Sequence, residues 1–155
     1  MGIVISDRTA FIIVGRMHFT VPEGIRRGLL DVGPELMREV KRRIQNTPKT
    51  GRIYNIRGKR HQASAPGEAP ARLTGKLVRS VRFNVSSSTR LVIGELRKIA
   101  PHARYLEEGS IRRRILPRPH LRPSVTHKAR EIEQALQRGV FKEIGKVTKV
   151  YRSYK

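Results

Sequence analysis

The sequence contains no cysteine, which excludes a disulfide framework, a thiolate zinc site and a cysteine nucleophile. It has no tryptophan and only 5% aromatic residues, too few for a nucleic-acid module built on stacked rings. No stretch approaches the roughly 18 to 20 apolar residues needed to cross a bilayer, so no membrane association is expected. Residues 1–20 carry Asp7, Arg8, Arg16 and His18 and no long apolar run, so they do not read as a secretion signal. A soluble protein made in the cytoplasm is expected.

The constellations that support catalysis are also missing. Gly51 to Gly58-Lys59 has six intervening residues where a phosphate loop has four, and Arg60 stands where a magnesium-holding Ser or Thr belongs. His18, His61, His102, His120 and His127 form no pair at metal-binding spacing, and each reads as an ordinary surface or interface histidine. Glu107-Glu108 is the only adjacent carboxylate pair, and on a strand its members would point to opposite faces. No Gly-x-Ser-x-Gly elbow is present. The expectation is a protein without catalytic residues, metal or cofactor. A nuclease is disfavoured because it needs a metal-ligand cluster.

Acidic residues are scarce as well. Twelve stand against 34 Lys and Arg, a formal net charge of +22 on 155 residues. A compact chain with that charge repels itself unless polyanions or acidic neighbours offset it, which makes nucleic acid an early suspect. The length suits a single domain, residues 1–155.

The pattern predicts an α+β fold: a small antiparallel sheet packed with two main amphipathic helices, a long extended loop and terminal arms. Ile3-Val4-Ile5 and Phe11-Ile12-Ile13-Val14 around Asp7-Arg8 predict a β-hairpin over residues 3–20. Ile25, Leu29, Val32, Leu36, Val40 and Ile44 then follow at helical spacing, with a kink or restart expected at Gly33-Pro34. Residues 47–75 are rich in Gly and Pro, lack periodicity, and read as a long loop that orders against a partner chain. Leu77, Val81, Phe83 and Val85 alternate with polar residues and are answered by Leu91-Val92-Ile93 after a Ser87-Ser88-Thr89 turn, which predicts a hairpin. Tyr105-Leu106 would start or end a third strand. Residues 110–119 read as a basic, proline-bounded loop. Val125, Ala129, Ile132, Leu136 and Val140 predict a second amphipathic helix with Ser124 as N-cap. Residues 147–155 read as a basic arm, either an added strand or a docking tail.

The basic residues of two loops are candidate contacts to DNA or to an acidic partner: Arg57, Lys59 and Arg60 in the long loop, and Arg118 with the run Arg112, Arg113 and Arg114 in the later one. The Thr74-Gly75 pair reads as a turn, Gly109 as a position that permits positive φ, and Pro117, Pro119 and Pro123 as stiffeners of the loop before a helix.

Two ordered segments resemble a known family. The first is Ala63-Ser64-Ala65-Pro66-Gly67-Glu68-Ala69-Pro70-Ala71, followed by Leu73-Thr74-Gly75-Lys76-Leu77 and Ser80-Val81. The second is Ala103-Arg104-Tyr105-Leu106-Glu107-Glu108-Gly109-Ser110, followed by Arg118-Pro119-His120-Leu121-Arg122-Pro123. Together they resemble the lambdoid neck or tail-completion (head–tail joining) family of tailed bacteriophages. That family pairs Thr-Gly-x-Leu-x-x-Ser with later Tyr-Leu-Glu-x-Gly-Thr and Arg-Pro-x-Leu-Arg-Pro segments. Here Ser110 replaces a common Thr, and His120 a common Phe. The resemblance covers about residues 29–136.

It implies a structural virion protein without enzymatic activity, a homo-oligomeric ring of six subunits at the head–tail junction. The partners it implies are adjoining head-completion and tail proteins and the double-stranded DNA that passes through the channel without sequence recognition. It also implies family roles in structure for Pro66, Gly67, Thr74, Gly75, Leu77, Tyr105, Leu106, Glu107, Gly109, Arg118, Pro119, Leu121 and Pro123. The competing reading is a sequence-nonspecific, basic nucleic-acid-binding protein.

Overall fold

The computed structural model describes the backbone of residues 7–152 and the side chains of residues 21–146. The protein is α+β, with five helices and two small antiparallel two-stranded sheets among the described residues. In chain order the elements are α1 (Asp7–Asn46), β1 (Ile53–Ile56), β2 (Lys59–Gln62), α2 (Lys76–Ser80), β3 (Val81–Ser87), β4 (Arg90–Glu95), α3 (Ala103–Glu108), α4 (Leu121–His127) and α5 (Ala129–Arg152). Among the described residues no helix is long and apolar enough to cross a membrane.

Helix α1 is longer than the sequence pattern implies. Residues 7–20 are helical, not part of a β-hairpin, and residues 3–6 of that expected hairpin lie outside the described residues. A short apolar run such as Phe11–Val14 does not distinguish strand from buried helix. Continuing an existing helix adds one hydrogen bond per residue without a new nucleus, and that favours helix here. Nor does the helix restart at Gly33-Pro34: α1 runs through Pro22 and Pro34 unbroken. The Phe83 ring packs against the backbone at Gly33, where a Cβ would sit 2.4 Å from the ring.

The predicted stripe on α1 is buried from Leu29 through Ile44, with Ile25 half-buried.

The chain divides into two compact units, one made of the residues up to Val32, Val85–Leu91 and the residues from Arg130 on, the other of Gly33–Asn84 and Val92–Ala129. In the first unit α1 and α5 cross at backbone contact. A Cβ on Gly28 would lie 2.6 Å from the Ala135 carbonyl oxygen, and one on Gly139 would lie 2.2 Å from that of Gly24. Among the described side chains of α5 the buried residues are accordingly Ala135, Gly139 and Glu143, while Ile132, Leu136 and Val140 are half-buried. Arg27 Nη1 reaches Glu143 Oε1 at 2.6 Å beside the crossing.

The second unit holds a core of Val40, Ile44, Leu77, Val81, Ala100 and Ala103, flanked by Met37, Val78, Ile93, Leu106 and Leu121. Val81, Phe83 and Val85 alternate with exposed Arg82, Asn84 and Ser86 along β3, as the sequence pattern predicts. Residues 77–80, however, are helical.

Three further expectations are corrected. Residues 47–75 contain the β1–β2 hairpin and are no structureless loop. Tyr105-Leu106 belongs to helix α3, because Ala103 and Leu106 pack a helical face on the core. The predicted second helix is two: α4 ends at His127, and α5 extends to Arg152, so residues 147–152 are helix rather than a strand or free arm. Residues 153–155 of that arm lie outside the described residues.

Candidate functional site

The motif segments that lie far apart in sequence meet in the second unit through a set of hydrogen bonds. Helix α4 begins without a side-chain cap of its own, and the first N–H groups of a helix have no partner within it. Glu107, at the end of α3, supplies the acceptors: its carboxylate receives the N–H groups of His120 at 2.7 Å, Leu121 at 3.0 Å and Arg122 at 3.0 Å. Ser124, the expected N-cap, instead lies inside α4, buried, and donates its hydroxyl to the His120 carbonyl at 2.6 Å.

The Arg118 N–H donates to the Leu106 carbonyl at 2.6 Å, and its guanidinium donates to the carbonyls of Ser64 at 3.2 Å and Leu116 at 3.1 Å. Gly67 N–H donates to the Pro117 carbonyl at 2.9 Å. Glu68 receives the N–H groups of Thr50 and Ala65 and the Thr50 hydroxyl, which holds its carboxyl below the usual range. Gly67, Gly75 and Gly109 all take positive φ, at 84°, 75° and 78°. The Pro123 carbonyl faces Arg43 Nη2 at 3.5 Å. Leu77, Leu106 and Leu121 turn into the adjoining core, and Thr74 Oγ1 accepts the Lys76 N–H at 3.4 Å. Pro66 and Pro119 are half-buried or exposed at the rim of these contacts.

His120 is the centre of this knot, and its position corrects the expectation of a surface histidine. Its side chain is 0% exposed; Nε2 lies 2.6 Å from Glu95 Oε1 and Nδ1 lies 3.0 Å from Glu107 Oε2. Burial opposes the charged ring, but hydrogen bonds to Glu107 and Glu95 outweigh it and raise the pKa to about 9. On Glu107 burial again favours the neutral form; the bonds from His120 and the N–H groups of Arg122, His120 and Leu121 prevail and hold it at about 2. Both ring nitrogens face acceptors, so the ring is a doubly donating imidazolium that clamps β4, α3 and α4. Among the described residues no cluster of His, Cys, Asp or Glu is arranged to hold a metal ion.

Beside the knot, Ser110 and Ile115 exchange N–H···O bonds of 2.8 and 3.0 Å and close a tight loop that carries Ile111, Arg112, Arg113 and Arg114. Ile111 is 100% exposed and the three arginines are exposed. Arg113 stacks 4.3 Å above the Tyr105 ring, the geometry of a cation–π contact. Arg114 takes φ 52°, a left-handed conformation that a non-glycine residue enters at a cost. A cleft of about 590 Å³ opens here, lined by Arg97, Arg104, Tyr105, Glu107, Glu108 and Arg113 among others.

Arg57, Lys59 and Arg60 sit on a different element, the turn and second strand of the β1–β2 hairpin, and all three are exposed. The seven candidate contact residues thus fall into three groups: the hairpin tip, the closed loop, and Arg118, whose guanidinium is taken up inside the knot. Sequence reasoning missed His120 with its two carboxylates and the Gly24–Gly28–Gly139 crossing. The small-residue spacing of Gly24 and Gly28, mirrored by Ala135 and Gly139, was a legible signal for the second. For the first, only the shared motif membership of Glu107 and His120 pointed that way.

No protein-family model, curated protein or solved structure matches this chain.

Proposed function

We propose that the protein is a structural, non-catalytic subunit of the neck of a tailed bacteriophage, assembling as a ring at the head–tail junction around the path of the DNA. The observation that carries this reading is the convergence of the family-like segments: residues 63–70, 103–110 and 117–123 bond to one another through Glu107, Arg118 and Gly67. Residues that form one interlocked scaffold are expected to occur as an ordered set, which is how they occur in the family this chain resembles. The scaffold then presents two exposed basic elements, the residue 110–115 loop and the β1–β2 tip. Phosphate contacts of that kind neutralise DNA without reading its bases, as a channel for any sequence requires.

A ring of six copies in contact with head-completion and tail proteins follows from the resemblance. Native mass spectrometry of the purified protein, with copy-number determination in particles that contain it, tests the reading. Cyclic oligomers and a copy number equal to one ring are expected. A protein that stays monomeric at high concentration and is absent from particles overturns it.

The second reading, a sequence-nonspecific nucleic-acid-binding protein of another kind, draws on the same exposed cations. Tight, stoichiometric DNA binding by a monomer together with absence from particles would establish it instead.

A further inference from the structure

The β1–β2 hairpin has no buried face. Six of its eight strand residues are exposed, and Ile56 and His61 are only half-buried. An isolated two-stranded hairpin is marginal in water. This one is anchored at its root. Gly51 and Ala63 bond across it, and Ser64 receives the Arg118 guanidinium. Glu68 holds Thr50 and Ala65, and Lys49 Nζ donates to the Ala69 carbonyl at 2.7 Å. The tip is shaped by two successive positive-φ residues, Arg57 at 52° and Gly58 at 74°, the tight turn that suits the right-handed twist of a hairpin. Asn, Asp or Gly would enter that conformation at less cost than Arg57 does, so stability alone does not account for an arginine there. Presentation of a cation at the tip does.

The charge is one-sided. Lys49, Arg52, Arg57, Lys59 and Arg60 occur with no Asp or Glu between Asn46 and Glu68. Arg52, Arg57, Lys59 and Arg60 make no side-chain ion pair among the described residues, whereas Arg27, Arg38, Arg42 and Arg104 on the helices each have a glutamate. The register pairs Asn55 with Arg60 and Ile53 with Gln62, which sets three hydrogen-bonding side chains on one face. A second copy of a chain with net charge +22 is a poor receptor for such a tip. A polyanion is a good one, and the major groove of duplex DNA admits a two-stranded ribbon.

We propose that the β1–β2 ribbon is a DNA-binding arm, which enters a groove of duplex DNA and sets Arg57, Lys59 and Arg60 against the phosphates that border it. The inference deepens the neck reading by naming the element that meets the DNA, but it holds for the second reading as well.

The test measures binding of the full-length protein to a mixed-sequence 30-base-pair duplex across a salt series. Wild type is compared with the R57Q/K59Q/R60Q variant and with a charge-matched K76Q/R79Q/K98Q variant. Each neutralised phosphate contributes about 0.9 to the log–log salt slope. The ribbon variant should therefore lose roughly 2 to 3 from the slope, so that wild type weakens about 40-fold more than the variant between 50 and 200 mM salt. The matched control should lose less than about 1. Thermal melts of the ribbon variant should superimpose on wild type, because the ribbon carries no core. Equal slopes for wild type and the ribbon variant overturn the proposal, as does an equal loss in both variants. A ribbon variant that loses binding to polyglutamate as strongly as to DNA also overturns it, since the arm would then be a contact for acidic protein. Failure of the neck reading would appear separately, in oligomeric state and copy number, with the salt slopes unchanged.

Discussion

Glu107 holds His120 twice, through the ring Nδ1 at 3.0 Å and through the backbone N–H at 2.7 Å. One carboxylate thereby neutralises a buried imidazolium and caps helix α4, and it does so from the preceding helix. Glu107→Ala removes both functions and leaves the ring with Glu95 as its one remaining carboxylate. Breaking a buried ion pair by deleting one partner costs about 3 to 5 kcal/mol. Urea unfolding should report a loss in that range; a loss below about 1 kcal/mol, the level of a single exposed ion pair, would mean that the pair is solvated.

The same pair sets a pH profile. The His120 pKa is raised from 6.5 to about 9 in the folded protein, so its contribution is full below 6.5 and disappears as pH rises through 9. The Glu107 pKa is lowered from 4.5 to about 2, so its contribution is full above 4.5 and disappears as pH falls toward 2. Stability from this contact should be greatest between about pH 4.5 and 6.5 and should fall by on the order of 3 kcal/mol toward pH 9 to 10, counted once because both shifts report one contact. Thermal melts from pH 4 to 10 check it. His120→Phe, which replaces the ring with an aromatic that cannot titrate, should flatten the alkaline limb; an unchanged limb in that variant would assign the pH dependence elsewhere.

Glycine substitutions in α5 should have opposite signs. In an exposed helix interior, Gly→Ala gains about 0.5 to 1 kcal/mol from propensity. A Cβ added at Gly145 would meet no atom of the described residues within 4 Å, so Gly145→Ala should stabilise. At Gly139 the added carbon would lie 2.2 Å from the Gly24 oxygen, so Gly139→Ala must separate α1 from α5 and should destabilise by about 1 to 3 kcal/mol. Chemical denaturation of the two variants side by side decides; the same sign at both positions would refute the crossing.

Ile44 lies in the core, 0% exposed, whereas Ile111 on the closed loop is 100% exposed. Ile44→Ala should cost roughly 2 to 5 kcal/mol, and Leu36→Ala, at 2% exposure, a similar amount. Ile132→Ala, at a half-buried position, should cost less. Ile111→Ala should change stability by no more than about 0.5 kcal/mol. A large effect at Ile111 in the isolated protein would mean that the loop packs against the rest of the chain.

Replacing Arg112, Arg113 and Arg114 together with Gln should leave the fold intact, since the loop is closed by backbone bonds between Ser110 and Ile115. Under the neck function proposed above, the yield of joined heads and tails, or DNA retention, should fall. Surface charges are screened over about 8 Å at physiological salt, so the loop acts only in near contact with its partner. Assembly measured across a salt series, with and without DNA, separates the two partners. Normal assembly, normal retention and an unchanged salt response would leave the loop with no role beyond solvation.

Local information was sufficient wherever a residue's place depends on near neighbours. The buried stripe from Leu29 to Ile44, the alternation of Val81, Phe83 and Val85, the Ser88-Thr89 turn and the positive φ at Gly109 follow from helical and strand periods and from turn chemistry. So does the α+β class. What depended on residues distant in sequence was not legible. Phe11–Val14 is helix because α1 propagates through it, and Tyr105-Leu106 is helix because Leu106 completes a core with Ile44 and Leu77. The cap of α4 comes from Glu107 rather than Ser124, and α5 buries Ala135 and Gly139 because Gly24 and Gly28 leave room only for small residues. A hydrophobic period tells which side of an element is apolar. It does not tell which other element arrives there, how near its backbone comes, or which buried charge it brings, because those are set by packing between segments and by the removal of water from both at once.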